Sequence, residues 1–225
     1  MFGELHAHID LYCERTGPEF WSEPVNALTN LAFVAAGLWG VWAARKRQAD
    51  GFVLLLCWWV VAIGVGSFLF HTFADQLTMW ADILPIAGFT LAYTLFNLRR
   101  FLGYSWPRSL AIFFAFYIVA GVVTALVPDW LRVASNGSTG YLPPFLALIF
   151  FGILVIRAGN PIGWFNIAAA GIFVLSVTFR AIDPLVCDAM PLGTHFLWHS
   201  FNGLMLGVVL AAVVRFPRRE IATVA

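Results

Sequence analysis

Seven long apolar stretches, separated by short polar connections, limit what this chain can fold into. A membrane-spanning helix needs about 20 apolar residues, and the stretches cover residues 25–44, 51–71, 80–98, 109–127, 141–157, 162–179 and 194–214. Only 11% of the 225 residues are charged, whereas a soluble domain carries about 25%. The sequence therefore predicts an all-α, polytopic membrane protein. We expect residues 1–225 to form a single domain of seven transmembrane helices, with an acidic N-terminal segment over residues 1–24.

The basic residues predict how the helices are oriented. Of the 13 Lys and Arg residues, ten fall after the odd-numbered stretches or in the C-terminal tail: Arg45, Lys46, Arg47, Arg99, Arg100, Arg108, Arg157, Arg215, Arg218 and Arg219. Arg15, Arg132 and Arg180 fall on the opposite side. Because cytoplasmic loops carry an excess of basic residues, we expect the N-terminus outside and the C-terminus in the cytoplasm. The net charge of +1 gives no indication of a nucleic-acid partner.

Five polar residues fall at the same predicted depth in the membrane. His195 and His199 stand four apart at the outer start of the seventh stretch, so a helix places them on one face. His71 lies at the outer end of the second stretch, with Ser67 one turn before it, and Asp82 lies at the outer start of the third. Ionisable side chains within membrane spans are costly and usually functional. This convergence predicts a site near the outer surface.

The residue types favour a metal site. Zinc prefers four ligands, and three histidines with one water are a common catalytic set, so we predict zinc at His71, His195 and His199. Asp82 would then either exchange protons with the water or orient a histidine. Ser67 would either donate to an oxyanion or bond to its own helix backbone. The competing interpretation is that all these side chains only hydrogen-bond the helices together.

At these positions the sequence resembles the alkaline ceramidases, within a larger group of seven-span hydrolases that includes the adiponectin and progestin receptors. The resemblance runs from about residue 10 to 210, and its motifs are Tyr12-Cys13-Glu14, Glu23-Pro24-Val25-Asn26, Thr29-Asn30, Ser67-x-x-x-His71, Asp82, Ile182-Asp183 and His195-x-x-x-His199. It implies hydrolysis of the ceramide amide bond to sphingosine and a fatty acid. It also implies zinc held by the three histidines, with Ser67 and Asp82 in catalytic support.

The resemblance further implies a calcium site in the acidic N-terminal segment. Calcium takes six to eight oxygen ligands, and Asp10, Glu14 and Glu23 are the candidates. The match departs at two positions: Leu11 separates Asp10 from the aromatic-Cys-Glu run, and Thr16 stands where an Asn is expected. The alternative is a solvated acidic tail.

The three cysteines divide by predicted location. Cys57 lies within the second stretch and is expected to serve packing. Cys13 and Cys187 both fall on the outer side, where disulfides persist, and the resemblance supports their pairing. Asp183, four residues before Cys187, is expected to fasten the outer loop.

Taken together, the residues and the resemblance predict a zinc-dependent amide hydrolase in an integral, multi-pass membrane protein. Its partner would be a lipid substrate, ceramide or a related N-acyl lipid, reached from the outer side of the membrane. One alternative is a non-catalytic lipid sensor or receptor with a structural metal site. Another is an electron-transfer protein whose histidines ligate haem, which a Soret absorption band would reveal.

The orientation can be tested with an impermeant thiol reagent in intact cells. A cysteine introduced at Ala7 should be labelled, because the basic residues predict an outer N-terminus. A cysteine introduced at Ala222 should be labelled only after the membrane is permeabilised. Labelling at Ala222 in intact cells would contradict the predicted orientation.

Overall fold

The computed structural model describes residues 5–215, so Arg218, Arg219 and Ala222 lie outside the described residues. Within this range seven helices are long and apolar enough to cross a membrane: Pro24–Lys46, Gly51–Phe73, Gln76–Phe101, Trp106–Ala125, Ser138–Arg157, Gly163–Val186 and His195–Arg215. They are called the first to seventh spans below. The described part of the chain contains no β-strand beyond an isolated bridge between His8 and Asp75. The predicted all-α architecture with seven candidate spans is confirmed.

Several spans contain local changes of helical geometry. The first consists of the helices Pro24–Thr29 and Leu31–Lys46, and the third passes from the α-helix Gln76–Phe96 into a π-helical turn, Asn97–Phe101. The fifth starts with a 3-10 turn, Ser138–Tyr141, before the α-helix Leu142–Arg157. A short helix, Asp129–Ala134, lies between the fourth and fifth spans.

The seventh span lies at the centre of the helix packing. In its most apolar stretch 67% of the residues are buried inside the protein, whereas the corresponding share is 44% or less in every other span. It packs chiefly against the first and sixth spans, and it also contacts the second. The site residues His195 and His199 therefore start from the most enclosed helix.

Two spans extend beyond the predicted boundaries. The third begins at Gln76 rather than near residue 80, because Asp75 and Thr78 form a capping box at its start. The sixth continues to Val186 instead of ending near residue 179. It thereby includes two residues that the sequence placed in a connection, Arg180 and Asp183. Both side chains are held by hydrogen bonds to backbone or hydroxyl groups, which lets polar residues continue this helix.

Gly66 brings the second and third spans into direct backbone contact. A Cβ atom at this position would lie 2.0 Å from the carbonyl oxygen of Ala81. Only glycine permits this approach, because any side chain would force the two backbones apart. The contact lies one residue from Ser67 and one from Asp82. It is the packing feature that brings these two predicted site residues together.

Gly66→Ala should therefore destabilise the protein, since overpacking typically costs about 1–3 kcal/mol. Gly121→Ala is the matched control, because its Cβ would meet no atom within 4 Å in the fourth span. There the substitution should be neutral or slightly stabilising. The thermal unfolding midpoint of each variant in detergent measures the difference. Equal midpoints for the two variants would contradict the close approach at Gly66.

Candidate metal centre

The three predicted histidines meet in the structure. His71, His195 and His199 each offer one ring nitrogen, and these three atoms all lie within 4.8 Å of one another. Each residue is only 1% exposed. Among the described residues this is the one group of three or more His, Cys, Asp or Glu side chains that could hold a metal ion in this way. His71 and His195 thus belong to the same candidate metal centre, although they lie 124 positions apart in the chain.

Glu23 holds the ring of His71. Its Oε2 lies 2.7 Å from His71 Nδ1 and also accepts a 3.0 Å hydrogen bond from Asn26 Nδ2. Burial by itself raises the pKa of Glu23, but the hydrogen bond and charge of His71, with the charge of Arg15, outweigh it and hold the pKa below its usual value. An ionised Glu23 accepts a hydrogen bond from the protonated Nδ1 of His71. This tautomer leaves the Nε2 lone pair free, as in carboxylate–histidine–metal arrangements.

Thr29 plays the corresponding part for His199. Its hydroxyl donates to the carbonyl oxygen of Val25 at 2.8 Å and lies 3.0 Å from His199 Nδ1. Because a hydroxyl has one hydrogen, the one directed at Val25 leaves the Thr29 oxygen to accept from Nδ1. His199 Nε2 is then the unprotonated nitrogen. The sequence showed Thr29 only as part of a motif, without this role.

Two ring nitrogens of the cluster lack partners. His199 Nε2 and His195 Nδ1 are buried without a hydrogen bond to any described residue. Buried polar atoms are nearly always satisfied, so an orphaned pair calls for an explanation. A metal ion would take up both lone pairs. The nitrogen donor set and its burial therefore fit the zinc ion that the resemblance implies.

Tyr12 packs against the open side of the histidines. Its ring stacks on His195 with 3.6 Å between centroids and lies 5.3 Å from the His71 ring. The next residue, Cys13, forms a disulfide with Cys187. The predicted cysteine pair is thus the pair that the structure joins, whereas Cys57 is free and buried. The disulfide ties the N-terminal segment to the connection before the seventh span.

Asp183 fixes the start of the seventh span. Its Oδ1 accepts hydrogen bonds from the backbone N–H groups of Thr194 at 2.6 Å and His195 at 2.9 Å, and its Oδ2 accepts from that of Cys13 at 3.1 Å. The chain can reach this carboxylate because Gly193 has a positive φ of 65°. Asp183 is 0% exposed. It does fasten the outer loop, and it also orients the helix end that carries His195.

Asp82 lies beside the cluster with one unused oxygen. Its carboxyl interacts with the side chains of His71, Ser67 and Arg180. Its Oδ1 is buried and has no hydrogen-bond partner among the described residues. Ser67 is itself 3% exposed. The structure therefore brings both residues next to the histidines and leaves a carboxylate oxygen available there.

Arg180 is a residue that the sequence analysis counted only as an outer basic side chain. Its guanidinium interacts with Tyr12, Tyr141 and Asp82. It donates to the carbonyl oxygen of Asn136 at 2.6 Å, which links the sixth span to the connection before the fifth. A partly buried cation therefore interacts with the Asp82 carboxyl. The signal that could have found it is its position inside the sixth helix, which the predicted boundary excluded.

Two of the three candidates for the implied calcium site, Glu14 and Glu23, lie close enough to interact, but their oxygens already have partners. Asp10 is exposed and has no hydrogen bond or ion pair with another described residue. Glu14 accepts the backbone N–H groups of Val25 and Asn26 with its two oxygens, both at 2.7 Å. Burial raises the pKa of Glu14, although these two hydrogen bonds act in the opposite direction. Both oxygens of Glu23 are also engaged. The donors therefore do not fit a calcium ion.

The comparison with protein families agrees with the site. The family model described as Ceramidase matches residues 4–220 of the chain. The chain belongs to the ceramidase family. A comparison with the curated proteins found no match. Family membership implies an amidase-type hydrolase whose substrate is the lipid ceramide. This ceramidase-family protein also has the seven apolar helices expected of a multi-pass membrane protein.

Proposed function

We propose that this ceramidase-family protein hydrolyses the amide bond of ceramide or a related N-acyl lipid with zinc at its histidine cluster. The observation that carries the proposal is the pair of unpartnered nitrogens on His195 and His199, beside an unpartnered oxygen of Asp82. A site built only to join helices would satisfy these buried atoms with one another.

The metal would be held by His71, His195 and His199. When bound, zinc supplies a Lewis acid and lowers the pKa of a water molecule to about 7. Glu23 and Thr29 keep two of the rings in the tautomer and orientation that leave Nε2 unprotonated. The buried position of all three rings excludes bulk water, which strengthens electrostatic interactions at the site.

Asp82 and Ser67 supply the remaining chemistry. Asp82 takes a proton from the attacking water with its free Oδ1 and delivers it to the departing amine, which is a poor leaving group unless it is protonated. Ser67 donates its hydroxyl hydrogen to the carbonyl oxygen of the substrate as negative charge develops there. Arg180, which is held by Asn136 and Ser138, carries a positive charge that interacts with the Asp82 carboxyl.

An apolar cavity beside Ser67 opens into the helix packing, and we assign the acyl chain to it. It is lined mostly by apolar side chains from the first, second, third, fifth, sixth and seventh spans, among them Phe33, Ile63, Ile86, Leu148, Phe173 and Trp198. The far end of the cavity has a hydrogen-bonded group of Tyr93, Asn97 and Asn166. Along the third span the lining runs from Ile86 to Asn97, a helical rise of about 16 Å, close to the ~15 Å hydrocarbon depth of one leaflet. The acyl chain would enter along this wall with its amide near Ser67.

The metal assignment predicts about one zinc per chain in purified protein. His199→Ala should lose zinc, because it removes one of only three nitrogen ligands. His8→Ala is the control: this histidine is exposed and should leave the zinc content unchanged. Elemental analysis of the purified variants gives the answer. Zinc retained at the wild-type level after single alanine substitution of each cluster histidine would sink the assignment.

The catalytic roles predict graded losses in turnover. Asp82→Asn should keep zinc and fold but lose about 10²–10⁴ in rate, the usual contribution of general acid–base catalysis. Ser67→Ala should lose about 10²–10³ if its hydroxyl is an oxyanion donor. Asp129→Asn changes a carboxylate whose side chain is 90% exposed and should leave the rate unchanged. The assay is the release of fatty acid and sphingoid base from ceramide in detergent micelles.

Two results would redirect the interpretation. Near-normal hydrolysis by Asp82→Asn would remove Asp82 from the chemistry. If zinc-loaded wild type hydrolyses no lipid in a mixed N-acyl pool, as followed by mass spectrometry, the sensor or receptor function would be favoured instead.

A further inference from the structure

A buried guanidinium occupies the neighbourhood in which the resemblance implies calcium. The side chain of Arg15 is 0% exposed, and its Nε donates to Glu23 Oε1. Its Nη1 donates to the carbonyl oxygen of Gly17 at 2.9 Å, and its Nη2 to that of His71 at 3.0 Å. Carboxylate and carbonyl oxygens are the ligands that calcium takes in proteins. Here the three oxygens all accept from one fixed cation.

The carboxylates around Arg15 are already engaged. Leu11 directly precedes Tyr12 and is 43% exposed, while the nearest upstream carboxylate, Asp10, is also exposed. Glu14 lies close enough to Glu23 to interact with it, but both of its oxygens accept from backbone N–H groups. Glu23 is the carboxylate that accepts from Arg15. A calcium ion would have to share Glu23 with a guanidinium that is already buried there, and two cations at one buried carboxylate repel each other.

Arg15 is also connected to the candidate metal centre by two hydrogen bonds, one through Glu23 and one to the backbone of His71. It holds Glu23, whose second oxygen contacts His71 Nδ1, and it holds the backbone carbonyl of His71 itself. The planar fork of a guanidinium suits such multiple contacts, whereas the ammonium of lysine is a single point charge. The position of the His71 ring is therefore defined from its backbone and from its side-chain partner by one residue.

We propose that the Arg15 guanidinium is the resident cation of this site, so that the protein folds and holds its metal without calcium. Arg15 is a positioning residue: it aligns Glu23 with His71 and does not touch the substrate. The proposal rests on the proposed function only where zinc at the histidine cluster serves as the readout.

The first experiment titrates calcium against the wild-type protein in detergent. Calcium modules of low affinity bind at about 10⁻⁴–10⁻³ M, so the thermal unfolding midpoint is measured with calcium chloride up to about 5 mM, with magnesium chloride as the control for ionic strength. We expect the same midpoint in both salts. A saturable rise with calcium alone would overturn the proposal, and this result requires neither a variant nor activity.

The second experiment measures the rate at which a chromogenic chelator removes zinc. Arg15→Ala should release zinc about 10–100-fold faster, the usual effect of losing a residue that orients a ligand, and should lower the unfolding midpoint by about 10 °C, since Glu23 keeps a buried unpaired charge. Arg15→Lys should fall between the two, because it keeps the charge without the fork. Wild-type release from Arg15→Ala would overturn the positioning role.

The matched control is Arg132→Ala, which removes an arginine from an exposed pair with Asp129 on the same side of the helix packing. Exposed pairs contribute little, so its midpoint and zinc release should equal those of the wild type. If Arg15→Ala does not fold, Arg15→Lys decides: faster zinc release supports the proposal, and the wild-type rate overturns it.

These readouts separate this proposal from the proposed function. Neither measures hydrolysis, so a failure of the ceramide assay leaves the role of Arg15 intact. If the purified protein bound no zinc, the proposed function would fail, whereas the calcium titration would still test Arg15.

Discussion

The end of the molecule that carries the histidine cluster depends on one buried carboxylate, that of Glu23. It accepts from Arg15 in the N-terminal segment, Asn26 in the first span and His71 in the second. A buried charge is tolerated only when it is paired and hydrogen-bonded, so these three elements must come together for any of them to be stable. The same contacts hold the first metal-ligating ring in place. The contacts of Glu23 therefore both stabilise this end of the fold and set the position of the His71 ring.

The seventh span supplies the rigid half of the site. It is buried among the first, second and sixth spans, and its start is fixed by the Asp183 carboxylate. The disulfide between Cys13 and Cys187 ties the N-terminal segment to the connection that precedes it. His195 and His199 consequently project from a helix that has little freedom to move. Preorganised ligands of this kind do not need to be reordered when a metal or a substrate binds.

In the proposed function, the cavity and the histidine cluster would divide the recognition of a lipid between them. The cavity is apolar for most of its length, so it selects for hydrocarbon but has few groups that could distinguish one chain from another. Its polar lining includes Ser67 near the histidines and the hydrogen-bonded pair Asn97 and Asn166 farther along. For the proposed reaction, chemical specificity would come from the end that carries the histidines, where Asp82 interacts with Arg180.

The sequence by itself determined the number of spans and the common depth of Ser67, His71, Asp82, His195 and His199. Both follow from local properties, the length of apolar runs and the helical repeat. It also indicated the cysteine pair, through sidedness and resemblance. Its boundary for the sixth span was wrong, because Arg180 and Asp183 read as loop residues until their hydrogen-bond partners are known.

Only the tertiary structure decided which groups orient His71 and His199. Glu23 is 48 residues from His71, and Thr29 is 170 residues from His199. Such pairs leave no periodic signal, since they depend on how the N-terminal segment packs over the helix ends. The same holds for Arg15: an acidic stretch resembles a calcium site by its residue types. A side chain from within that stretch takes the place of the ion only because it is folded back against Glu23 and His71.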